Sequence, residues 1–180
     1  MSDTEFNFMI NADVSLCNAI RRTIISGVSS IVIDTVCIKE NDSFLCDEMI
    51  AHRLGLIPLR KTTSEPTTEF KIKLEEVGPK RVYSRDIIFP SGIEAVNPDI
   101  IILNLGIDEC IKLTGLTEEG TAIDQNHSKF SVSCGTTYKK ISDNLFRFHS
   151  ETTGSISAKD AVLKAIEILK DELIMYKKML

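Results

Sequence analysis

Val14-Ser-Leu-Cys-Asn-Ala-Ile-Arg-Arg-Thr-Ile-Ile-Ser-Gly27 is the stretch around which the rest of the chain is organised. Ser15 can cap a helix with its hydroxyl, and Gly27 is suited to a left-handed stop. Between them Leu16, Ile20 and Ile24 recur every four residues, which stacks them on one helical face. Ala19, Thr23 and Gly27 form a row of small residues beside that stripe, where another backbone can approach closely. Asn18, Arg21 and Arg22 fall elsewhere around the helix. Two roles fit: an ordinary core helix with solvated arginines, or a helix that docks against another subunit. Periodicity leaves both open.

Around this helix, 180 residues allow one domain, or one domain carrying a smaller insertion. No apolar run approaches the roughly 20 residues that span a bilayer. The start, Met1-Ser-Asp-Thr-Glu5, is acidic rather than signal-like, so an intracellular protein is expected. Cys17, Cys37, Cys46, Cys110 and Cys134 are odd in number and none forms a C-x-x-C pair. Neither a disulfide framework nor a zinc site is expected from them, and most should be buried free thiols. A net charge of −5 argues against a domain whose main task is gripping phosphates. Basic pairs such as Lys80-Arg81 and Lys139-Lys140 read as solvated surface, so little or no direct DNA contact is expected.

In chain order, Glu5 to Asn11 partly alternates and reads as a strand before the helix; Ser30 to Glu40 is β-branched and reads as another. Asn41-Asp42-Ser43 turns the chain. Asp47 can cap a short helix to Leu54, with Met49, Ile50 and Leu54 as its apolar side. Arg60 to Pro66 is loop-like and marks a boundary. Phe70 to Glu75, Ile100 to Leu103 and Glu109 to Leu116 read as strands, and Thr117 to Ser128 as loop. Lys129 to Ile141 and Asn144 to Glu151 form a hairpin. Ser157 caps a last helix in which Val162, Ile166, Leu169, Leu173, Tyr176 and Leu180 make a narrow seam. Such a seam covers either the chain's own sheet or another subunit's helix.

No phosphate loop, dinucleotide fingerprint, zinc-protease helix or nucleophile elbow occurs. Asp47, Glu48 and His52 share a helix, but no second ligand motif accompanies them. Cys134 and His127 could act as nucleophile and base only if the fold joined them, and Cys134 falls within a strand where a packed thiol is expected. A binding or scaffold protein is the expectation.

Leu16-Cys-Asn-Ala-Ile-Arg-Arg-Thr23 resembles the L-A-N-A-L-R-R stretch of the assembly subunits of cellular RNA polymerases: bacterial alpha, its archaeal D-type counterpart and the third subunit of eukaryotic polymerase II. Asp47-Glu-Met-Ile-Ala-His-Arg-Leu-Gly-Leu-Ile-Pro-Leu59 is similar almost letter for letter to that family's D-E-x-x-A-H-R-L-G-L-I-P-L. Ile33-Asp34, Glu40-Asn41, Val82-Tyr-Ser-Arg-Asp86, Val96-Asn-Pro-Asp-Ile100 and His127-Ser-Lys-Phe-Ser131 resemble further family signposts, in the family's order. Phe146 to Leu173 resembles the closing strand and helix.

The resemblance implies an α+β fold. Residues 1–60 and 137–180 would form the alpha/D-type dimerisation domain, a sheet with two long helices, interrupted by a mostly β insert at 61–136. It implies a non-catalytic scaffold subunit that pairs with a small eleventh-subunit or L-like partner. That pair would be the platform joining the two large catalytic subunits. Leu16, Ala19, Ile20, Thr23, Ile24, Val162, Ile166, Leu169, Leu173 and Tyr176 would line the heterodimer. Asn18, Arg21, Arg22, His52, Arg53, Leu56, Pro58 and Lys129 would dock the second-largest and other subunits. No metal or cofactor is carried over, since residues 61–109 hold no cysteine, and no catalytic residue either, since the family's active-site carboxylates would belong to the largest subunit and no D-F-D-G-D-like cluster occurs here. Only one strand precedes the first helix, where relatives usually have two. Compactness points to a reduced polymerase, a large DNA virus being one source, and the compartment would follow from the source. A homodimeric interaction module of the same fold outside a polymerase is the rival expectation.

Overall fold

The computed structural model describes residues 3–62 and 71–179. In chain order the elements are β1 (Glu5–Asn11), α1 (Val14–Ser26), β2 (Ser30–Asn41), α2 (Asp47–Gly55), β3 (Leu59–Lys61), β4 (Lys71–Val77) and β5 (Lys80–Tyr83). There follow β6 (Ile93–Ala95), β7 (Ile101–Leu105), β8 (Cys110–Gly120), β9 (Ser133–Ser142), β10 (Leu145–Thr152) and α3 (Ala158–Met179). The fold is mixed α+β, as expected. Phe70, Leu180 and most of the loop expected at Arg60 to Pro66 lie outside the described residues; Arg60 and Lys61 belong to β3, paired antiparallel with β6.

Two compact units are present, residues 1–30 with 120–180 and residues 31–119. They do not coincide with the expected boundaries at 60 and 137. Residues 31–60 group with the strands that follow, because β2 joins β8 and β4 in one sheet. Ile50 and Leu54 of α2 are buried in the same core as Ile72, Leu74 and Leu113.

In the first unit β1, β10 and β9 form an antiparallel sheet. Ser142 pairs with Leu145, leaving Asp143-Asn144 as a two-residue turn, with Asn144 at φ 62°. Alternation along β10 turns Phe146, Phe148 and Ser150 inward. Phe148 lies across from Phe8 on one neighbour and Tyr138 on the other, with ring centroids 4.8 and 5.2 Å apart. Helices α1 and α3 add Cys17, Ile20, Ile24, Ala161, Val162 and Ala165 to this core, and Val28 and Val132 complete it.

The helix ends correct several sequence readings. Asp13, not Ser15, caps α1: its Oδ1 accepts the Leu16 N–H at 2.7 Å. Gly27 closes the helix in the right-handed region at φ −98°, so left-handed geometry is not what it supplies. A Cβ there would stand 3.0 Å from Thr23 Cγ2. At α2 the capping position is Cys46, and Asp47 instead accepts the Asn41 Nδ2–H at 2.7 Å. Ser157 does cap α3, its Oγ accepting the Asp160 N–H at 3.1 Å while donating to Asp160 Oδ2 at 2.7 Å.

The expectation of mostly buried thiols is overturned. Cys17 is buried, Cys110 is half-buried, and Cys37, Cys46 and Cys134 are exposed. Cys37 and Cys134 stand at outward positions of β2 and β9, and Cys46 precedes an exposed helix start. The loop expected at Thr117 to Ser128 is shortened by β8, which continues to Gly120.

Candidate partner-docking surface

Helix α3 changes character along its length. Its first half buries Ala158, Ala161, Val162 and Ala165, small residues that bring the helix close to α1 and the sheet. From Lys170 to Met179 every residue is exposed. A 22-residue helix is about 33 Å long and the 13-residue α1 about 20 Å, so the longer helix outruns its support. The outrunning part includes Leu173-Ile-Met-Tyr176, four consecutive apolar residues that necessarily point to all sides of the helix. A helix apolar all round is normally a buried one.

Beside this end lies a groove of about 450 Å³. Ile10 of β1 and Leu16 and Ile20 of α1 form one side; Ile166, Leu169, Leu173 and Ile174 of α3 form the other. Lys170 and Lys177 are its charged lining residues. Leu16 is 43% exposed, Ile166 42% and Leu173 66%, and they lie together along one groove instead of singly.

The residues expected to line a heterodimer therefore divide. Leu16, Ile166, Leu169 and Leu173 face the groove, with Ile20 at its floor. Tyr176 is exposed on the same helix end. Ala19 and Thr23 are half-buried, and the Thr23 hydroxyl donates to the Ala19 carbonyl at 3.0 Å. Ile24 and Val162 correct the expectation: at 0% and 3% exposure they belong to the chain's own core. Ile174 and Ile10 complete the groove and lie outside the expected set, because Ile174 is off the four-three seam and Ile10 is on a strand.

The residues expected to dock the large subunits fall on both units. In the first unit the Arg21 guanidinium donates to Asn18 Oδ1 from Nε (3.3 Å) and Nη2 (2.9 Å), which holds it half-buried along the helix. Arg22 is exposed. Lys129 is half-buried, its ammonium 5.4 Å from the centre of the Phe130 ring. In the second unit His52 and Leu56 are exposed and Pro58 is half-buried. Arg53 is exposed but engaged within the unit: Nε donates to the Ile102 carbonyl at 2.8 Å and Nη2 to that of Ile101. Its guanidinium braces α2 against β7.

Most of the remaining signposts turn out to interlock. Ser84, fully buried, donates from Oγ to the Asn97 carbonyl at 2.6 Å and accepts from the Ile100 N–H at 3.3 Å. Asp86 accepts the Tyr83 N–H at 2.7 Å, and Asn97 accepts the Asp99 N–H at 2.9 Å. Asn41 donates to the Leu45 carbonyl at 2.8 Å as well as to Asp47. Ser131 donates to the Ile25 carbonyl at 2.7 Å, tying the 127–131 segment to the end of α1. These motifs fasten loops.

Among the described residues no group of three or more His, Cys, Asp or Glu side chains is placed to hold a metal, so Asp47, Glu48 and His52 do not converge. His127 Nδ1 accepts the Lys129 N–H at 3.0 Å, and no hydrogen bond joins it to exposed Cys134. No described helix is long and apolar enough to cross a membrane.

Residues 7–173 match the family model of the RNA polymerase Rpb3/Rpb11 dimerisation domain. The chain belongs to that family. The DNA-directed RNA polymerase subunit Rpo3 of Methanocaldococcus jannaschii is 37% identical over 168 residues, covering 93% of this chain and 86% of the relative. The DNA-directed RNA polymerase II subunit rpb3 of Dictyostelium discoideum is 32% identical over 77% of this chain. The Rpo3 of Methanopyrus kandleri is 33% identical over 69% of it. The chain spans about half of the length of these last two, 54% and 50%. Membership of the Rpb3/Rpb11 family makes it a structural, non-catalytic subunit of a DNA-directed RNA polymerase.

Proposed function

We propose that this chain is the larger, D-like member of a heterodimer on which a polymerase is assembled. Its partner is a small eleventh-subunit or L-like chain that seats a helix in the groove between α1 and α3. The pair then forms the platform joining the two large catalytic subunits, inside whichever compartment that polymerase works. The observation that carries this reading is the apolar groove continued by the exposed Leu173–Tyr176 end, a surface a subunit of this family can complete by burying it.

Arg22 is the proposed contact to the second-largest subunit. Its guanidinium makes no hydrogen bond or ion pair among the described residues, unlike that of Arg21. Arg22→Glu should weaken recruitment of that subunit and leave the heterodimer intact; unchanged recruitment in a pull-down removes the assignment.

Affinity purification of the tagged chain from its native source, with mass spectrometry and sizing, tests the whole. Two very large polymerase subunits together with one small subunit are expected. A lone, well-behaved homodimer at modest salt would reject the heterodimer and favour an interaction module outside a polymerase.

A further inference from the structure

The groove carries charge of one sign only. Lys170 and Lys177 line it and no carboxylate does. Elsewhere Lys73, Lys80, Lys112 and Lys140 are each in an ion pair, whereas neither groove lysine has one among the described residues. Lys177 has only apolar neighbours at helical spacing towards the N-terminus, Leu173 and Ile174, so its own helix offers it no acid there. Seven residues separate the two lysines. That is two turns, about 10.5 Å along one side of the helix.

We propose that Lys170 and Lys177 make the groove selective for an apolar partner helix flanked by carboxylates at matching seven-residue spacing, and set it against a second copy of this chain. The inference rests on the groove being the docking face. In a two-fold self-pair the same face is used twice. Both copies' lysines would then enter one interface with no acid among the residues lining either groove, a like-charge arrangement that discriminates against self-pairing. The contrasting role for such lysines is to lay their methylene stems on apolar surface with the ammonium in water, which gives no selectivity. Replacing both by Met separates the two, since Met keeps an unbranched apolar stem and removes the charge.

The test uses the full chain and two designed helical peptides of about 20 residues with one identical Leu/Ile stripe. One is flanked by Glu and the other by Lys, and binding is followed by fluorescence anisotropy. The Glu-flanked peptide should bind the wild-type chain about tenfold more tightly at low salt, two partly exposed ion pairs being worth roughly that. The preference should shrink at about 0.5 M salt. It should vanish in the K170M/K177M double variant, which still binds both peptides, and that variant should self-associate more than wild type in sedimentation. Equal binding of both peptides to the wild-type chain overturns the lysine assignment and leaves the groove reading standing. Failure of both peptides to bind overturns the groove reading and this inference together.

Discussion

The two compact units each bury a core and differ in where their unburied apolar side chains lie. In residues 31–119 one set of apolar side chains closes on itself: Ile33, Ile50, Leu54, Ile72, Leu74 and Leu113 are all fully buried. The unit built from α1, α3 and the β1–β10–β9 sheet buries Phe148 and Ile24 just as completely. Yet it leaves Leu16, Ile166 and Leu173 along an open groove. Both units leave apolar side chains in water, Phe44, Val77, Ile88 and Ile107 among those of residues 31–119, but in the first unit they gather along one groove and one helix end. Surplus apolar surface arranged in a groove is what a permanent partner removes from water, at about 25 cal/mol per Å² buried. That arrangement is why the proposed interface is placed on the first unit.

Phe148→Ala should cause the largest loss, because it removes a ring stacked on Phe8 and facing Tyr138. About 3–5 kcal/mol of stability should disappear, as read from the denaturant midpoint. Leu173→Asp probes the other side of the contrast. It should leave the isolated chain's stability within about 0.5 kcal/mol yet weaken the heterodimer by at least about 2 kcal/mol; comparable losses in both measurements would erase the distinction. Within residues 31–119, Gly115 faces Ile72 in the ladder, and an added Cβ would stand 2.8 Å from the Thr35 carbonyl. Gly115→Ala should therefore cost about 1–3 kcal/mol through forced separation of the strands, measured in the same unfolding experiment.

The smallest effect concerns Cys110. Its thiol donates to Asp42 Oδ2 at 3.0 Å, with the Glu40 carboxylate 3.7 Å away. The Asp42 hydrogen bond, with partial desolvation and the negative charge of both carboxylates, pushes the thiol from 9.0 up to about 11. A raised value means the folded chain holds this proton longer than the unfolded one. The resulting stabilisation is full below pH 9 and is lost as pH rises towards 11. At pH 8 Cys110 should be alkylated more slowly than Cys37, Cys46 or Cys134, as followed by peptide mass spectrometry. Equal rates would contradict the hydrogen bond to Asp42.

How far the sequence reaches differs between these regions for physical reasons. Even partial alternation, as in Glu5 to Asn11 with Phe6, Phe8 and Ile10 on one side, is carried locally, and that strand is found where expected. The seam of α3 is harder. Its inward side is Ala158, Ala161 and Ala165, whose small side chains give little apolar signal, so the larger Ile and Leu draw attention to the neighbouring face. Val162 therefore reads as partner-facing although it completes the chain's own core. Asp13 and Ser15 are both good caps, and only the backbone path decides between them. The roles of Ser84, Asn97 and Ser131 depend on partners 13 and 106 residues away in sequence, beyond the reach of any local pattern. The motifs around them reveal the family without revealing that their work is to fasten loops. Arg53 lies inside the most telling motif, and spacing carries no sign of its use on the β7 carbonyls.

The claim that the groove and the end of α3 are covered by another polymerase subunit is tested most directly by hydroxyl-radical footprinting of the free chain and of the polymerase purified with it. Leu173, Ile174, Met175 and Tyr176 should be heavily modified in the free chain and protected in the polymerase. Equal modification of these residues in both would contradict the account.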